Sequence, residues 1–520
     1  MITIDDVTWT YPGADAPSLD SLALRIGAGE FVALCGASGS GKSTALRLMN
    51  GLIPHFHEDG RLLGSVTVDG LPIAGAELDE IGLRTGSVLQ HPRRQFFADT
   101  AAEEIAFAME NFGVPAARIR QRVGEALERL APSMPVAERL QRLSGGQQQQ
   151  VAIAASAAHE PRVLLLDEPS SNLSADAVAR LVETLAVCKA RGITVVVAEH
   201  RLRYLQGLVD RVVVMRDGRV DRVWSAAEFA AVPDAELARE GLRGDVRSVG
   251  LPAVPVAGLS AGSPVAPAAV PQGALELESV RCRLGGRTVL DIERASFAAG
   301  EVTAVRGVNG AGKSTLARVV TGLQRASGVV RLHGRPLSAR RRQRESAIVM
   351  QDVQRQLFTD SVVAEIRLAE RGAAERSDAP APEAVLQSLD LAHLAERHPL
   401  SLSGGQQQRL VVAAVRLSGR SIVVFDEPSS GVDRRHLGSI SEQIRRVADD
   451  GAVVLLISHD EDLLALAADR ELVLAPPAAP ARAEASAPSR PPAAETDEAG
   501  PPASRARPDP RPHQQKESSR

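Results

Sequence analysis

The sequence predicts an α/β protein built from two tandem copies of one domain, each a mainly parallel sheet covered by helices. Short β-branched runs alternate with helix-like stretches in both halves, as FVALCG, RVLLLDE and ITVVVAE do in the first. This alternation is typical of parallel sheets with helical connections. Three landmarks also recur 259 residues apart, which indicates an internal duplication. They are LSGGQ beginning at Leu143 and Leu402, DEPSS ending at Ser171 and Ser430, and a late histidine at His200 and His459.

Changes in composition divide the 520 residues into two domains, a linker and a tail. We expect the first domain at 1–243 and the second at 274–475. The segment 244–273 is rich in Pro, Ala, Gly and Ser, which is typical of a flexible or polyproline-like linker. The stretch 476–520 has almost no large apolar residues, so we expect a disordered tail there.

Charge and cysteine content argue against several classes of function. The 60 basic and 64 acidic residues nearly balance, which gives no global attraction to nucleic acid, and we expect no nucleic-acid partner. The three cysteines are scattered without CxxC spacing, so neither a disulfide framework nor a zinc site is indicated. No run approaches the roughly 18 apolar residues that a membrane helix needs. If the chain works at a membrane, a partner must dock it there.

Each half carries a glycine-rich loop of the GxxxxGK[ST] type between an apolar strand and a helix. Glycines let the backbone wrap tightly and point its N–H groups at a phosphate, and the helix N-terminus adds a positive dipole end. Lys42 and Lys313 are expected to reach the β- and γ-phosphates of a nucleotide, and Ser43 and Ser314 to ligate Mg²⁺. The residues expected to hold the nucleotide are Gly36, Ser38, Gly39, Gly41, Lys42, Ser43 and Thr44, and Gly307, Asn309, Gly310, Gly312, Lys313, Ser314 and Thr315.

An apolar strand in each half ends in two carboxylates. Phosphoryl transfer depends mostly on positioning and charge neutralisation, so it requires few protein groups. We expect Asp167 and Asp426 to hold the Mg²⁺ shell, and Glu168 and Glu427 to polarise the attacking water. Their spacing from the phosphate loop and from LSGGQ distinguishes these pairs from a solvated turn.

The second glycine-rich motif, LSGGQ, precedes an apolar helix in each half. Serine and glycine at a helix start again favour an anion site. A nucleotide already held by a phosphate loop has no need of a second such site in the same domain. The motif is therefore expected to clamp the γ-phosphate that is bound to the other domain. The residues concerned are Ser144, Gly145, Gly146 and Gln147, and Ser403, Gly404, Gly405 and Gln406.

A histidine follows the late apolar strand of each half, at His200 and His459. A lone histidine is more often structural. Here the position at a strand end is expected to place each imidazole near the γ-phosphate, where it can contact phosphate and water. We therefore count both histidines among the catalytic residues.

Together these motifs resemble those of the ABC ATPase family, and the resemblance covers nearly everything except linker and tail. It implies two P-loop domains of the ABC type, each with a helical signature subdomain beside the sheet. It also implies that the domains close head to tail around two ATP molecules, each site combining one domain's phosphate loop with the other's LSGGQ. By the same resemblance, Gln90 and Gln351 contact Mg²⁺ and face a transmembrane partner, and Tyr11 stacks on adenine.

The pattern Q-x4-Q-[FL]-F, which begins at Gln90 and Gln351, resembles the energy-coupling-factor (ECF) importer ATPases for vitamins and transition-metal ions. The stretch MNGLIPHFHEDG at 49–60 also resembles fused, two-domain members of that group. The implied partners are a coupling protein and a substrate-binding protein of the membrane, and the implied location is peripheral, at the cytoplasmic face of the cell membrane. A fused ATPase of a sugar or peptide importer and a soluble twin-ABC protein acting on ribosomes are the alternatives.

The segments that follow these glutamines are expected to receive short helices from the membrane partner. Exposed phenylalanine beside polar residues suits an amphipathic groove. The alternative is that Phe97 and Phe358 belong to the hydrophobic core. The residues of the expected surface are Gln90, Gln95, Phe97, Gln351, Gln356 and Phe358.

The two sites are expected to be unequal, because three departures from the family pattern fall on one of them. Site one combines Tyr11, Lys42 and Glu168 with LSGGQ and Asp433 of the second half. Site two combines Leu284, Lys313 and Glu427 with LSGGQ, Ser174 and Gln150 of the first half, where Gln150 stands in the place of Arg409. We predict that site two is slow but active. Neutral drift with equal sites is the alternative.

Overall fold

Two α/β halves make up the part of the chain that the computed structural model describes. The described residues are 1–57, 59–132, 134, 139–171, 173–243, 250–254, 256–257, 274–308, 310–350, 353–370, 381–429 and 434–475. Both halves belong to one compact unit.

The first half contains two sheets and the helices that cover them. Its strands are β1 (Ile2–Thr10), β2 (Leu19–Ile26), β3 (Phe31–Cys35), β4 (Arg61–Val68), β5 (Leu71–Pro72), β6 (Thr85–Val88), β7 (Val163–Asp167), β8 (Thr194–Ala198), β9 (Arg211–Arg216) and β10 (Arg219–Ser225). Its helices are α1 (Lys42–Met49), α2 (Leu52–His55), α3 (Leu78–Arg84), α4 (Ala101–Asn111), α5 (Ala116–Leu130), α6 (Gly145–Ala158), α7 (Ala175–Ala190), α8 (Ala226–Ala231) and α9 (Asp234–Arg239).

The larger sheet of the first half is mainly parallel. Its strand order is β10-β9-β3-β8-β7-β6, and only the β9–β10 pairing is antiparallel. The strands β3 and β8 are buried along their whole length and consist almost entirely of apolar residues, as expected for parallel strands covered on both faces. A separate antiparallel sheet has the order β2-β1-β4-β5.

The second half repeats this arrangement. Its strands are β11 (Val256–Ala257), β12 (Leu275–Leu284), β13 (Arg287–Phe297), β14 (Val302–Arg306), β15 (Ser327–Leu332), β16 (Arg335–Pro336), β17 (Ser346–Val349), β18 (Ile422–Asp426), β19 (Val453–Ile457) and β20 (Arg470–Val473). Its helices are α10 (Lys313–Val320), α11 (Ala339–Glu345), α12 (Val362–Glu370), α13 (Pro382–Ser388), α14 (Gly404–Leu417), α15 (Arg434–Asp449) and α16 (Glu461–Ala467).

The parallel sheet of the second half has the order β17-β18-β19-β14-β20, and its antiparallel sheet has the order β11-β13-β12-β15-β16. In each half, one hydrophobic cluster lies between the antiparallel sheet and the first face of the parallel sheet, and another covers the second face with helices. The predicted fold class, two tandem α/β domains with mainly parallel sheets, is confirmed.

A group of helices stands beside each parallel sheet. In the first half α6 packs against α4 and α5, and in the second half α14 packs against α12 and α13. The LSGGQ motifs lie at the start of α6 and α14. Among all the helices that the structure describes, none combines the length and the apolar character needed to cross a membrane.

Part of the segment predicted as a linker is paired with the second half. The strand β11 adds to β13 in antiparallel register, and Val254 N–H donates to the Glu471 carbonyl at 2.7 Å. Glu471 N–H in turn donates to the Pro252 carbonyl at 2.9 Å. Residues 250–254 and 256–257 are thus held on the second half. The remainder of 244–273, and the predicted tail 476–520, lie outside the described residues.

Candidate functional site

Four parallel strands bring the predicted site residues of the first half to one edge of the sheet. The neighbouring strands β3, β8, β7 and β6 all end at this edge. The phosphate loop follows β3, Asp167 ends β7, and His200 and Gln90 lie two residues beyond β8 and β6. Ligand sites of parallel sheets lie at such carboxyl edges. The second half repeats the arrangement with β14, β19, β18 and β17.

The first phosphate loop wraps closely around the start of α1. Gly36 has a φ of 141°, and a Cβ atom there would lie 2.2 Å from the Met215 carbonyl oxygen, so only glycine fits. Lys42 is buried, and its Nζ donates to the carbonyls of Gly36 at 2.9 Å and Ala37 at 3.0 Å. The lysine therefore lies across the loop, where its charge faces any phosphate that the loop holds.

The second phosphate loop has the same construction. Gly307 has a φ of 144°, and a Cβ there would lie 2.4 Å from the Leu474 carbonyl oxygen. Lys313 Nζ donates to the Gly307 carbonyl at 2.6 Å and to the Val308 carbonyl at 3.3 Å. Burial lowers the pKa of Lys313, against the opposing effect of the nearby carboxylates Glu427 and Asp426. Asn309 lies outside the described residues.

The two carboxylates of the first site have different surroundings. Ser43 Oγ donates to Asp167 Oδ1 at 3.0 Å, and burial together with the charge of Glu168 raises the pKa of Asp167 to about 6. Glu168 accepts a hydrogen bond from Gln90 Nε2 at 2.8 Å and lies 3.3 Å from His200 Nε2. Burial alone would raise the pKa of Glu168, but His200 and Lys42 outweigh it and lower that pKa to about 2. Glu168 is thus held as a carboxylate.

The glutamate of the second site is held more loosely. Glu427 Oε2 accepts hydrogen bonds from Ser458 Oγ and His459 N–H, both at 3.4 Å, and His459 Nε2 is 3.8 Å from Glu427 Oε1. Burial and Asp426 raise the pKa of Glu427 to about 8. Burial lowers the pKa of His459 to about 4. Gln351, the predicted counterpart of Gln90, lies outside the described residues.

Ser43, Asp167 and Gln90 give the first site a set of oxygen donors. Oxygen ligands, including one or two carboxylates, suit Mg²⁺. Asp426 occupies the equivalent place in the second half, where burial raises its pKa and a hydrogen bond from Ser314 partly opposes that effect. The residues present therefore fit the predicted Mg²⁺ sites.

The LSGGQ serines cap the helices that they begin. Gln147 N–H donates to Ser144 Oγ at 3.3 Å, and Ser144 N–H donates back to Gln147 Oε1 at 3.0 Å. Ser403 and Gln406 form the same reciprocal pair at 3.4 and 2.9 Å. Such capping boxes fix the start of α6 and α14, the end at which a helix attracts anions.

One cavity of about 1430 Å³ joins the predicted site residues of both halves. Its lining includes both phosphate loops, Glu168 and Glu427, and His200 and His459. It also includes Gly145 of the first LSGGQ motif and Ser403–Gln406 of the second. Groups from both halves therefore face a shared space, as a head-to-tail pairing requires.

The residues from which we predict that the two ATP sites differ lie in different environments. The Tyr11 ring makes edge contacts with Trp9 and His57, and its hydroxyl lies 3.4 Å from Thr44 Oγ1. Leu284, its counterpart, is exposed. Ser174 lies at the N-terminus of α7, while Gln150 and Arg409 are buried in α6 and α14. Asp433 lies outside the described residues.

Glu199 is a buried carboxylate that the sequence analysis missed. It accepts hydrogen bonds from His200 N–H at 2.8 Å, Ser170 N–H at 3.1 Å and the Tyr204 hydroxyl at 2.9 Å. It therefore fixes the backbone that carries His200. Comparison of the duplicated motifs could have singled it out, because Ser458 stands in the equivalent place of the second half.

Comparisons with known proteins agree with this geometry. A family model described as ABC transporter matches residues 19–171 and 291–430. The chain is 39% identical to an ABC transporter ATP-binding protein of Treponema denticola, with 91% of this chain and 95% of that protein covered. It is 30% identical to a Bacillus subtilis protein named HMP/thiamine import ATP-binding protein YkoD, with coverages of 91% and 90%.

A solved structure shows that the two-domain fold is shared more widely. A chain in a model of ribosome-bound archaeal Pelota and ABCE1 is 23% identical, with a TM-score of 0.61 and coverages of 90% and 76%. At that identity the likeness concerns the fold alone.

Each segment that the family model matches contains a phosphate loop, an LSGGQ motif and a strand ending in two carboxylates. The chain therefore belongs to the ABC transporter ATPase family, as an ATP-hydrolysing protein with two ATP-binding domains in one polypeptide.

Proposed function

We propose that this chain is the energy-coupling ATPase of an ECF-type importer for a vitamin, a vitamin precursor or a transition-metal ion. It acts at the cytoplasmic face of the cell membrane, on which integral membrane subunits hold it. Support comes from the 30% identity to the B. subtilis protein whose name refers to HMP/thiamine import. The single structural observation that carries the proposal is a pair of exposed phenylalanines at equivalent places in the two halves.

Phe97 and Phe358 lie on the surface with 74% and 77% of their area exposed. The alternative that they belong to the core is wrong, because both rings are largely exposed. The backbone around each ring is fixed by a hydrogen bond to a buried glutamate. Phe97 N–H and Phe358 N–H donate to the buried carboxylates of Glu104 and Glu365 at 2.9 and 3.1 Å. The rings are thus presented outward on anchored loops, as a docking surface for a membrane protein requires.

The loops that carry these rings are connected to α6 and α14, the helices that begin at the LSGGQ motifs. Arg93 Nε donates to Gln148 Oε1 of α6 at 2.8 Å, and Gln354 Nε2 donates to Gln407 Oε1 of α14 at 3.1 Å. Arg94 Nη2 also donates to Gln354 Oε1 at 2.6 Å, which joins the two halves. A partner that moves either loop would therefore act on a helix whose first residues face the shared cavity.

In this proposal, the two halves pair head to tail around two ATP molecules. Lys42 and Lys313 contact the phosphates, and the LSGGQ serine of the opposite half contacts the γ-phosphate. Bound Mg²⁺ neutralises phosphate charge. Glu168, oriented by Gln90 and His200, polarises the attacking water.

Two other functions are less well supported. An importer for a sugar or a peptide would use the same ATP sites, and it differs only in the membrane subunits. A role on ribosomes has only the likeness to the ABCE1-containing structure, which concerns the fold. The exposed rings of Phe97 and Phe358, at equivalent places in the two halves, favour a membrane partner.

Replacing both Phe97 and Phe358 with Ala should release the chain from the membrane. The rings are exposed, so the folded state should keep its stability. Loss of two aromatic anchors that the membrane partner would cover should weaken docking by at least about 10-fold. The measurement is the fraction of tagged chain recovered with membranes, together with the proteins that co-purify with it.

A matched control is Leu466→Ala, because Leu466 is also exposed, at 55%, but belongs to α16 and not to the loops that carry Phe97 and Phe358. It should leave membrane recovery unchanged. Small integral membrane proteins should co-purify with the wild-type chain and not with the double variant. Unchanged recovery of the double variant, or co-purification of ribosomal proteins instead, would overturn the proposal.

A further inference from the structure

A buried ion cluster joins the two halves beside their catalytic histidines. An Arg243 Nη1 nitrogen of the first half pairs with Asp460 Oδ2 of the second. Arg201 Nη2 lies 3.4 Å from the same oxygen. The Arg243 and Asp460 side chains are only 4% and 3% exposed, so this contact is shielded from water. It is therefore unlike the exposed ion pairs that contribute little to stability.

The internal duplication places Arg201 and Asp460 at equivalent positions. Arg201 directly follows His200 and Asp460 directly follows His459, and the two lie 259 residues apart like the other landmarks. Because their side chains meet, identical residues at this position would bring like charges together. The chain instead has opposite charges, an arrangement that suits the pairing of one half with the other.

The cluster is connected to the backbone of the first site. Arg243 N–H donates to the His200 carbonyl at 3.1 Å, and Arg201 and Arg243 form a parallel backbone bridge. The segment that ends the first domain is thus fixed against the peptide that carries the catalytic histidine.

The cluster is also connected to the second site. Asp460 N–H donates to Ser458 Oγ at 3.0 Å, and Ser458 Oγ donates to Glu427 Oε2 at 3.4 Å. A displacement of Asp460 would therefore be transmitted to the glutamate of site two through a single serine. The ion cluster forms the middle of a path from His200 to Glu427.

Burial makes the cluster sensitive to the loss of either partner. Burial alone would raise the pKa of Asp460, but Arg243 and Arg201 outweigh it and lower that pKa to about 2. Removing one member of a buried pair leaves an uncompensated charge in the interface. Such a variant favours separation of the two halves at this edge, because separation returns the charge to water.

We propose that Asp460, Arg201 and Arg243 form a charge lock, a buried ion cluster that couples the two ATP sites. It holds together the edges of the two halves that carry His200 and His459. These are positioning residues, since they act through His200, Ser458 and Glu427. The inference rests on the ATPase activity of the chain and is independent of the transported molecule. Its test therefore needs only the purified full-length chain and ATP.

The first test compares steady-state ATP hydrolysis by Asp460→Asn, by Arg243→Gln and by the double variant. We expect kcat to fall about 10-fold in each, with the KM for ATP nearly unchanged because neither phosphate loop is altered. The double variant should lose no more than the single ones, since all three break the same contact. Asp460→Glu, which keeps the charge, should restore most of kcat.

The control is Glu461→Gln, one residue away. Glu461 pairs with Arg306 of its own half at 2.7 Å, so this variant breaks an ion pair next to Asp460 and leaves the Arg243–Asp460 pair in place. We expect its kcat to be close to wild type. An equal loss of kcat in Glu461→Gln, or no loss in Asp460→Asn, would overturn the proposal.

A second readout detects separation of the halves directly. Spin labels on Glu128→Cys and Glu383→Cys report the distance between the two helical subdomains, because both positions are exposed and the native cysteines are buried. Asp460→Asn should broaden this distance distribution, and Asp460→Glu should restore it. If Asp460→Asn fails to fold, Arg201→Gln leaves the Arg243–Asp460 pair in place and should show the same effects in weaker form. Distributions that do not change in a folded variant would contradict the lock.

Discussion

Replacing both Glu168 and Glu427 with Gln is expected to reduce ATP hydrolysis by about 10²-fold or more and to leave ATP binding largely intact. Glutamine keeps the shape of the side chain but cannot accept a proton from water. The phosphate loops are expected to hold the nucleotide through backbone groups and through Lys42 and Lys313, which the two substitutions leave unchanged. Phosphate release and equilibrium binding of ATP, measured on the same preparation, separate the two effects.

The geometry around Glu168 explains why this carboxylate is assigned to catalysis. Gln90 and His200 hold it at 2.8 and 3.3 Å, next to the Ser43–Asp167 pair that fits Mg²⁺. Its backbone φ of 46° is an uncommon value for a residue other than glycine, and Glu427 shares it at 55°. Turnover of the double variant close to that of the wild type would show that these carboxylates have been given the wrong role.

The two single variants are expected to differ, with Glu168→Gln losing far more activity than Glu427→Gln. Site two has Leu284 where site one has Tyr11, and loss of a base–aromatic stack costs roughly 1–3 kcal/mol in comparable complexes. Its Ser174 offers a hydroxyl where the family offers a carboxylate, which should weaken communication between the sites. Turnover of each variant, measured with the membrane partner bound, compares the sites directly.

The surroundings of the glutamates support the same order of activity. Gln90 and His200 hold Glu168 at 2.8 and 3.3 Å, whereas the contacts of Glu427 with Ser458 and His459 are 3.4 Å or longer. A carboxylate held by shorter contacts is better fixed in position for orienting water. Equal losses in the two single variants would mean that the asymmetry has no catalytic meaning.

The sequence was sufficient to predict the fold class and the edge of the sheet at which the site lies. Apolar runs such as Phe31–Cys35 and Val163–Asp167 are long enough to form buried parallel strands and too short to form helices. Because the motifs follow these runs, their convergence at one edge is a direct consequence of the parallel order. The exposed positions of Phe97 and Phe358 were not determined by pattern alone, since phenylalanine is usually buried.

Contacts between the halves could not be predicted in the same way. The pairing of Arg243 with Asp460 joins residues 217 apart, and nothing in the local pattern around either residue marks it. The predicted linker also contained a strand, β11, whose pairing with β13 depends on the free edge of a sheet and not on its own composition. Both features arise from tertiary packing, which local propensity does not specify.

The central claim is that each ATP site is built from both halves, and a Ser403→Arg variant tests it most directly. Ser403 is exposed at the start of α14, so an arginine fits there without disturbing the core. In the head-to-tail arrangement it belongs to site one, together with Lys42 and Glu168. Its effect should therefore depend on which site is left active.

The measurement is single-turnover ATP hydrolysis by Ser403→Arg in two backgrounds. With Glu427→Gln, only site one is active, and Ser403→Arg should reduce hydrolysis by about 10²-fold. With Glu168→Gln, only site two is active, and the same change should have little effect. The reverse result, a loss confined to the Glu168→Gln background, would show that each half forms its site alone and would contradict the account.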